Sequence, residues 1–244
     1  MTDRIRTLAV IQHDSAEYLG LIEDHLEGRR IRFRYFRPFT TEGRLPGSTE
    51  RAEGLVLLGA GPWGGEPGPS RLPTFEPEVA LTADALVHGV PILAIGLGAL
   101  ILCVAAGGSV EATPLSFEID VAERTATDAL EGYLPERFPS VRYGRDRPRL
   151  PPTARVLAVD ATQRPALFQI GARAFGFTGH PGVKSAMIED LIMEFPESPP
   201  DPGPALARLR TMNAAIEGAL VPMMTGLVRC LGWMGTDPRR SEPG

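Results

Sequence analysis

Apolar and polar residues alternate in blocks over the first hundred positions of the chain. Short apolar runs at 7–12, 55–58 and 92–95 each lead into a polar or glycine-containing loop, and stretches of helical composition follow these loops. The segment 30–36 instead alternates arginine with apolar residues, which is typical of a strand near a sheet edge with one wet face. Strands that alternate with helices predict a parallel sheet covered on both faces, with binding loops at the carboxyl ends of the strands.

The pattern changes after Gly108. Strand-like pieces then follow at 116–123, 154–161, 166–171 and 173–179. These pieces predict a mixed or antiparallel extension of the sheet, and a helical stretch closes this part of the chain. We therefore predict an α/β fold with a central, mostly parallel sheet, helices on both of its faces, and a C-terminal helical extension.

The pattern divides the chain into four parts. They are an α/β domain over 1–195, a proline-rich linker over 196–204, a helical extension over 205–235 with a kink at Pro222, and a disordered tail over 236–244. The helical extension carries apolar surface that needs a cover. We expect it to pack back onto the same domain, and contact with a partner enzyme or with a second copy in a homodimer is the alternative.

Composition narrows the class of protein. A net charge of -5 with dispersed arginines disfavours a nucleic-acid-binding protein. No apolar run approaches the roughly 20 residues that span a bilayer, so we predict a cytoplasmic protein without a membrane contact. Cys103 and Cys230 lie far apart and lack metal-ligand spacing, which indicates neither a disulfide framework nor a zinc site. Nothing in the sequence predicts a cofactor, and no recognised metal-ligand pattern is present.

Four segments, in the same order and context, resemble the class I glutamine amidotransferases, especially free-standing proteins similar to the GMP synthase glutaminase domain. Residues 94–100, AIGLGAL, match the elbow G-I-C-L-G-A-Q that carries the family's nucleophile. Residues 179–183, GHPGV, match the segment F-H-P-E-V, and 58–62, LGAGP, match the oxyanion loop L-G-G-P. VIQH at 10–13 matches the first strand. The resemblance implies the family's α/β fold and its Cys-His-Glu chemistry.

This sequence departs from that family where the chemistry is done. Gly96 stands in place of the nucleophilic cysteine and Gly182 in place of the triad acid, so His180 is the surviving triad position. Leu100 replaces the glutamine that helps to hold the substrate. Glutamine hydrolysis by this route needs a thiolate, and in a comparable hydrolase the loss of the nucleophile alone lowers turnover about 10⁶-fold. We therefore expect that the chain is not a thioester-forming glutaminase.

No other cysteine is expected to take over. Cys103 lies seven residues further along the predicted helix, which places it roughly 10 Å from the elbow. We read it as a core residue. Without a carboxylate at position 182, His180 is expected to lack the partner that fixes its tautomer.

A crevice above the sheet is still expected, and an elbow without a side chain should make it wider. Candidate ligand-binding residues in this crevice are His13, Gly61, Trp63, Leu97, Tyr143 and Asp146. Backbone amides near Gly61 and Leu97 are placed to hold an anionic group, with His180 as hydrogen-bond partner or general base.

Three functions fit this crevice. The first is a repurposed pocket that binds or transforms a small molecule of unknown identity with His180, and a sealed or apolar pocket would count against it. The second is a non-catalytic pseudo-glutaminase that scaffolds or regulates a partner biosynthetic enzyme. The third is a metal site built from His13, His180 and Asp146 or Asp14, although their spacing matches no recognised pattern.

Overall fold

The computed structural model describes residues 6–59 and 61–234. The predicted tail at 236–244 lies outside these residues. The strands are β1 (Thr7–Ile11), β2 (Arg32–Phe36), β3 (Leu55–Leu57), β4 (Ile92–Ile95), β5 (Ser109–Glu111), β6 (Ser116–Arg124), β7 (Arg137–Gly144), β8 (Arg147–Arg149), β9 (Ala154–Val159), β10 (Pro165–Ile170) and β11 (Ala174–Phe177). The helices are α1 (Leu21–Glu27), α2 (Ser48–Arg51), α3 (Phe75–Val87), α4 (Leu97–Ala105), α5 (Ser185–Glu194) and α6 (Gly203–Cys230).

The described strands form a nine-stranded sheet in the order β2-β1-β3-β4-β11-β10-β9-β6-β7. Neighbouring strands from β2 to β11 pair in parallel, and those from β11 to β7 pair antiparallel. The sheet is therefore mixed. Of the strand-like pieces after Gly108, β6, β9 and β10 pair only antiparallel, whereas β11 also pairs in parallel with β4. β5 and β8 make a separate two-stranded sheet. The predicted α/β fold is confirmed.

Alternate residues of the central strands enter two different cores. Leu8 and Val10 face a core that α1 and α6 cover, whereas Ala9 and Ile11 face a core shared with α3 and α4. Every residue of β3 and β4 is buried, as expected for parallel strands covered on both faces. This burial fixes the carboxyl ends of β1, β3 and β4 side by side at one edge of the sheet.

Strand β7 was not predicted, and its sequence explains why. The segment RFPSVRYG contains Pro139 and two arginines, and its apolar alternation is limited to Val141 and Tyr143. The strand lies at the edge of the sheet, where a proline costs no ladder hydrogen bond if it faces outward. β7 adopts a strand conformation because it pairs with β6 over eight residue pairs. This pairing depends on tertiary structure and cannot be read from the local sequence.

The C-terminal helix packs back onto the α/β domain. Helix α6 begins at Gly203, continues through Pro222 and contacts α1, α5, β6 and β7. Its apolar side is buried in the two cores on this face of the sheet, through Leu209, Ile216, Leu220, Met223, Met224, Leu227 and Val228. The expectation that the helical extension packs its apolar surface against its own domain is confirmed. Within the described residues, no helix is long and apolar enough to cross a membrane.

Candidate functional site

Gly96 forms the turn between β4 and α4, as the elbow motif predicts. Its φ of 59° and ψ of -119° lie in a region that strains any residue with a Cβ atom, and glycine adopts it freely. The Gly96 carbonyl accepts hydrogen bonds from the amides of Ala99 and Leu100, which starts the helix. The turn between β4 and α4 is therefore a sharp elbow with a glycine at its centre.

The carbonyl group of Gly59 fills the space that a side chain at position 96 would need. A Cβ atom built on Gly96 lies far inside the 3.0 Å from the Gly59 oxygen below which Cβ contacts are essentially never found. The same oxygen accepts a hydrogen bond of 3.2 Å from the Leu97 amide. The expectation that an elbow without a side chain widens the crevice is wrong, because backbone from the neighbouring loop occupies the space.

Gly182, where the resemblance places the triad acid, also lies in a tightly packed position. A Cβ atom on Gly182 would lie 3.1 Å from Ile22 Cγ1 and 3.2 Å from Leu220 Cδ2, tighter than most real Cβ contacts. The Gly182 carbonyl accepts a 2.8 Å hydrogen bond from the Leu21 amide at the start of α1. Helices α1 and α6 thus close over the position where the resemblance places a carboxylate.

His180 has backbone partners on both ring nitrogens. Its Nε2 lies 2.9 Å from the Tyr18 carbonyl oxygen, and the Gly182 amide donates a 3.1 Å hydrogen bond to its Nδ1. Because a carbonyl only accepts and an amide only donates, the proton resides on Nε2. The expectation that no partner fixes this tautomer is wrong. Burial lowers the pKa of His180, and the negative charge of Glu17 offsets this only in part.

Two small cavities lie next to the elbow. One, lined by Glu17, Gly96, Tyr143 and His180 among apolar side chains, has a volume of about 20 Å³. The other has a similar volume of about 20 Å³ and is lined by residues that include Gly96, Trp63, Leu97, Tyr143 and Asp146. Each has room for about one water molecule. His13 and Gly61 line neither of them.

Asp146 connects two loops. Its Oδ2 accepts hydrogen bonds from the amides of Gly65 and Glu66 at 2.9 and 3.1 Å, and its Oδ1 accepts one from the Thr113 amide at 3.2 Å. The residue has a φ of 57°, which holds its carboxylate toward these amides. Its visible role is to fix the glycine-rich loop after β3 against the β5–β6 connection.

The outer side of the crevice is covered by the segment after α5. A Cβ atom on Gly61, where φ is 75°, would lie 3.3 Å from both Leu191 and Phe195. Arg145 donates a hydrogen bond to the Pro62 carbonyl and forms a 2.6 Å ion pair with Glu197. Residues from the predicted linker therefore hold down the loop that matches the oxyanion loop.

His13 lies in a buried acid–base cluster that the sequence did not reveal. Its Nδ1 is 3.1 Å from Glu17 Oε2 and its Nε2 is 2.8 Å from Glu78 Oε2, and these side chains are 2% exposed or less. Burial opposes the charged imidazolium, but the two carboxylates more than compensate and raise the pKa of His13 well above its usual value. His13 thus connects the loop after β1 to α3, and both carboxylates favour its charged form.

Asp14 completes this cluster. Burial and the nearby Glu17 raise its pKa from the ordinary 3.8 to about 9, so the side chain is neutral at pH 7. Its Oδ1 accepts hydrogen bonds from the amides of Ala16 and Glu17 at 2.8 and 3.0 Å. Glu78 gave no sequence signal, because it lies 65 positions from His13 and meets it only in the folded chain. Glu17 lies four positions from His13, and no motif marks the pair.

Neither cysteine lies at the crevice, and the described crevice residues do not form a metal site. The Cys103 thiol is buried, lies 3.3 Å from the Arg149 carbonyl oxygen, and has a pKa raised by burial to about 11. Cys230 lies on α6. Over the described part of the chain, no three His, Cys, Asp or Glu side chains are grouped as metal ligands would be. His13 and His180 use their ring nitrogens in the separate contacts above.

Comparison with known proteins gives the fold. No protein-family model matches the sequence, and no curated protein matches it significantly. A glutamine amidotransferase from Methylobacillus flagellatus superposes with a TM-score of 0.78 at 21% identity, covering 93% of this chain and 96% of that one. A second, from Thermotoga maritima, gives 0.74 at 23% identity, with 93% and 99% covered.

The chain has the fold of the class I glutamine amidotransferases. Each match covers 93% of this chain and nearly all of the other chain. A Thermoplasma acidophilum protein assigned to GMP synthase superposes less closely, with a TM-score of 0.53 at 17% identity, covering 86% of this chain and 98% of that one. Within this amidotransferase fold, Gly96 and His180 occupy the turn after β4 and the loop after β11.

Proposed function

We propose that this chain is a non-catalytic member of the glutamine amidotransferase fold that acts by binding and regulating a partner biosynthetic enzyme. The observation that carries the proposal is the Gly59 carbonyl, which fills the nucleophile's position and bonds the Leu97 amide. A nucleophile and a free amide at this elbow are what amide hydrolysis requires. Here neither is present in a usable form.

The crevice also argues against a repurposed small-molecule pocket. Ligand pockets in proteins have volumes of about 300–1,000 Å³, whereas each cavity beside Gly96 holds about one water molecule. His180 has both nitrogens engaged by backbone, so a general base would first have to break one of these bonds. These contacts favour the regulatory function over a ligand-binding or catalytic role for His180.

A partner enzyme is suggested by what the structural neighbours are. One is assigned to GMP synthase as one of its subunits, and another is the structure of PurLQS from Thermotoga maritima, with a TM-score of 0.52 at 16% identity, covering 80% of this chain and 100% of that one. We infer a comparable accessory role, without ammonia production, in the cytoplasm. A homodimer through α6 is less favoured because the apolar side of that helix is already buried.

Two measurements test this function. Calorimetric titration of the purified chain with glutamine should show no binding at millimolar concentrations. The partner role requires a stoichiometric complex with one biosynthetic enzyme, isolated from the native host, whose kcat or KM changes when the purified chain is added. A chain that binds glutamine, or that stays monomeric and alters no co-isolated enzyme, would contradict the proposal.

A further inference from the structure

Strand β2 is an open edge of the nine-stranded sheet. Among the described residues, it pairs only with β1. The Arg32 amide donates to Arg6 and the Phe36 carbonyl accepts from Gln12, both on the β1 side. In a parallel pair, the peptide groups of alternate residues point to opposite sides. The amides and carbonyls of Phe33 and Tyr35 therefore point outward, and no described residue hydrogen-bonds them.

The side chains of this edge are strongly basic on one face. Arg30, Arg32 and Arg34 are exposed and occupy alternate positions, while Phe33 and Tyr35 pack inward against the core. Within the described residues, neither Arg30 nor Arg32 forms an ion pair, and Arg34 shares Glu50 with Arg44 at a distance of 3.4 Å. This patch stands out in a chain whose net charge is -5.

An open groove runs along the start of this edge. It is lined by Glu27, Arg30, Ile31, Arg32 and Phe33, with a volume of about 610 Å³. Its walls are the strand itself and the end of α1. Glu27 is the acidic group that lines the groove, so its charge is predominantly positive.

We propose that the β2 edge binds an extended acidic segment of another protein as an additional strand. Strand addition at a sheet edge draws affinity from backbone hydrogen bonds, here to Phe33 and Tyr35, and specificity from alternate side chains. Acidic residues at every second position of the added strand would face Arg32 and Arg34 as cross-strand pairs. A second copy of β2 would instead place arginine against arginine, which disfavours self-association.

The inference goes beyond the regulatory function and does not depend on it, because an open strand could bind a peptide in an active enzyme as well. A short capped peptide of alternating glutamate and valine, labelled for fluorescence anisotropy, should bind the full chain. Binding should weaken at high salt, since exposed ion pairs are screened. A peptide N-methylated at every second residue, on the side that would face β2, should lose binding because it cannot form the ladder.

The matched variants separate this edge from general charge attraction. Arg32→Glu with Arg34→Glu should weaken peptide binding by about tenfold or more, because attraction becomes repulsion at both pairs. Arg208→Glu with Arg210→Glu on α6 makes the same change in net charge and should leave affinity within about twofold. Equal losses in both variants, binding of the N-methylated peptide, or a wild-type dimer that the β2 variant dissociates would each overturn the proposal.

Discussion

Close packing disfavours a side chain at both Gly96 and Gly182, and at Gly96 a positive φ adds to this preference for glycine. At position 96, the Gly59 carbonyl excludes a side chain, and at position 182 Ile22 and Leu220 leave little room. At both positions, atoms of neighbouring segments occupy space that a side chain would need. A protein with these contacts is stabilised by glycine at both positions.

Substitution of Gly96 tests this packing. Gly96→Ala should lower the free energy of unfolding by at least about 2 kcal/mol, because positive φ and the clash with Gly59 add. Gly89→Ala is the matched control, since Gly89 has a φ of 65° but no atom within 4 Å of a built Cβ. It should cost only about 1 kcal/mol. Chemical denaturation of both variants would measure the difference, and equal losses would show that Gly59 does not exclude a side chain.

The His13 and Asp14 cluster predicts how stability depends on pH. Both groups have a pKa raised on folding, so the folded chain keeps protons that the unfolded chain releases. The free energy of unfolding should therefore fall as the pH rises, from about 4 toward about 9 for Asp14 and above about 6.5 for His13.

Denaturation at several pH values, with wild-type protein and two variants, checks this dependence. Asp14→Asn cannot ionise, so its stability relative to wild type should increase from pH 5 to pH 9. Asp128→Asn is the control, because Arg155 lowers the pKa of the exposed Asp128 and its titration lies below this range. A stability difference between Asp14→Asn and wild type that stays constant from pH 5 to pH 9 would show that Asp14 ionises normally.

At the scale of elements, helix α6 joins the two cores on one face of the sheet. Leu220 is fully buried between the sheet and α1, and Leu220→Ala should lower the free energy of unfolding by about 2–5 kcal/mol. Val221, the next residue, is 54% exposed, and Val221→Ala should change stability by less than about 0.5 kcal/mol. Thermal or chemical unfolding of the two variants and of wild-type protein measures this difference in stability. Similar effects would mean that α6 is not docked as described.

Helices and strands could be predicted where the local pattern of apolar and polar residues matches the burial of the element. The runs at 7–12, 55–58 and 92–95 are buried on both faces, so they contain the apolar residues that a parallel strand needs. The edge strand β7 could not be predicted, because its strand conformation depends on pairing with β6 and its own residues give only a weak strand pattern.

The candidate site was less predictable than the fold. Its glycines identify the elbow at Gly96, but the carbonyl that fills it belongs to a different loop. His13 is a candidate ligand-binding residue by sequence, and its contacts with Glu17 and Glu78 depend on the docking of α3 beside β1. Side-chain partners brought together by tertiary packing leave no period or motif in the sequence.

At the scale of the whole molecule, the fold of an amidotransferase remains and the crevice is closed from three sides. The loop after β3 fills the elbow, the ends of α1 and α6 cover Gly182, and the segment after α5 lies over Gly61. The β2 edge, by contrast, is unpaired on its outer side among the described residues.

Ammonia release from glutamine tests most directly whether the closed elbow has ended amide hydrolysis. Wild-type protein and Gly96→Cys should both release no more ammonia than buffer, because the restored thiol still meets the Gly59 carbonyl and has no acid behind His180. Turnover by wild-type protein at an ordinary enzymatic rate, about 1–10³ per second, would contradict this, as would a comparable gain in Gly96→Cys.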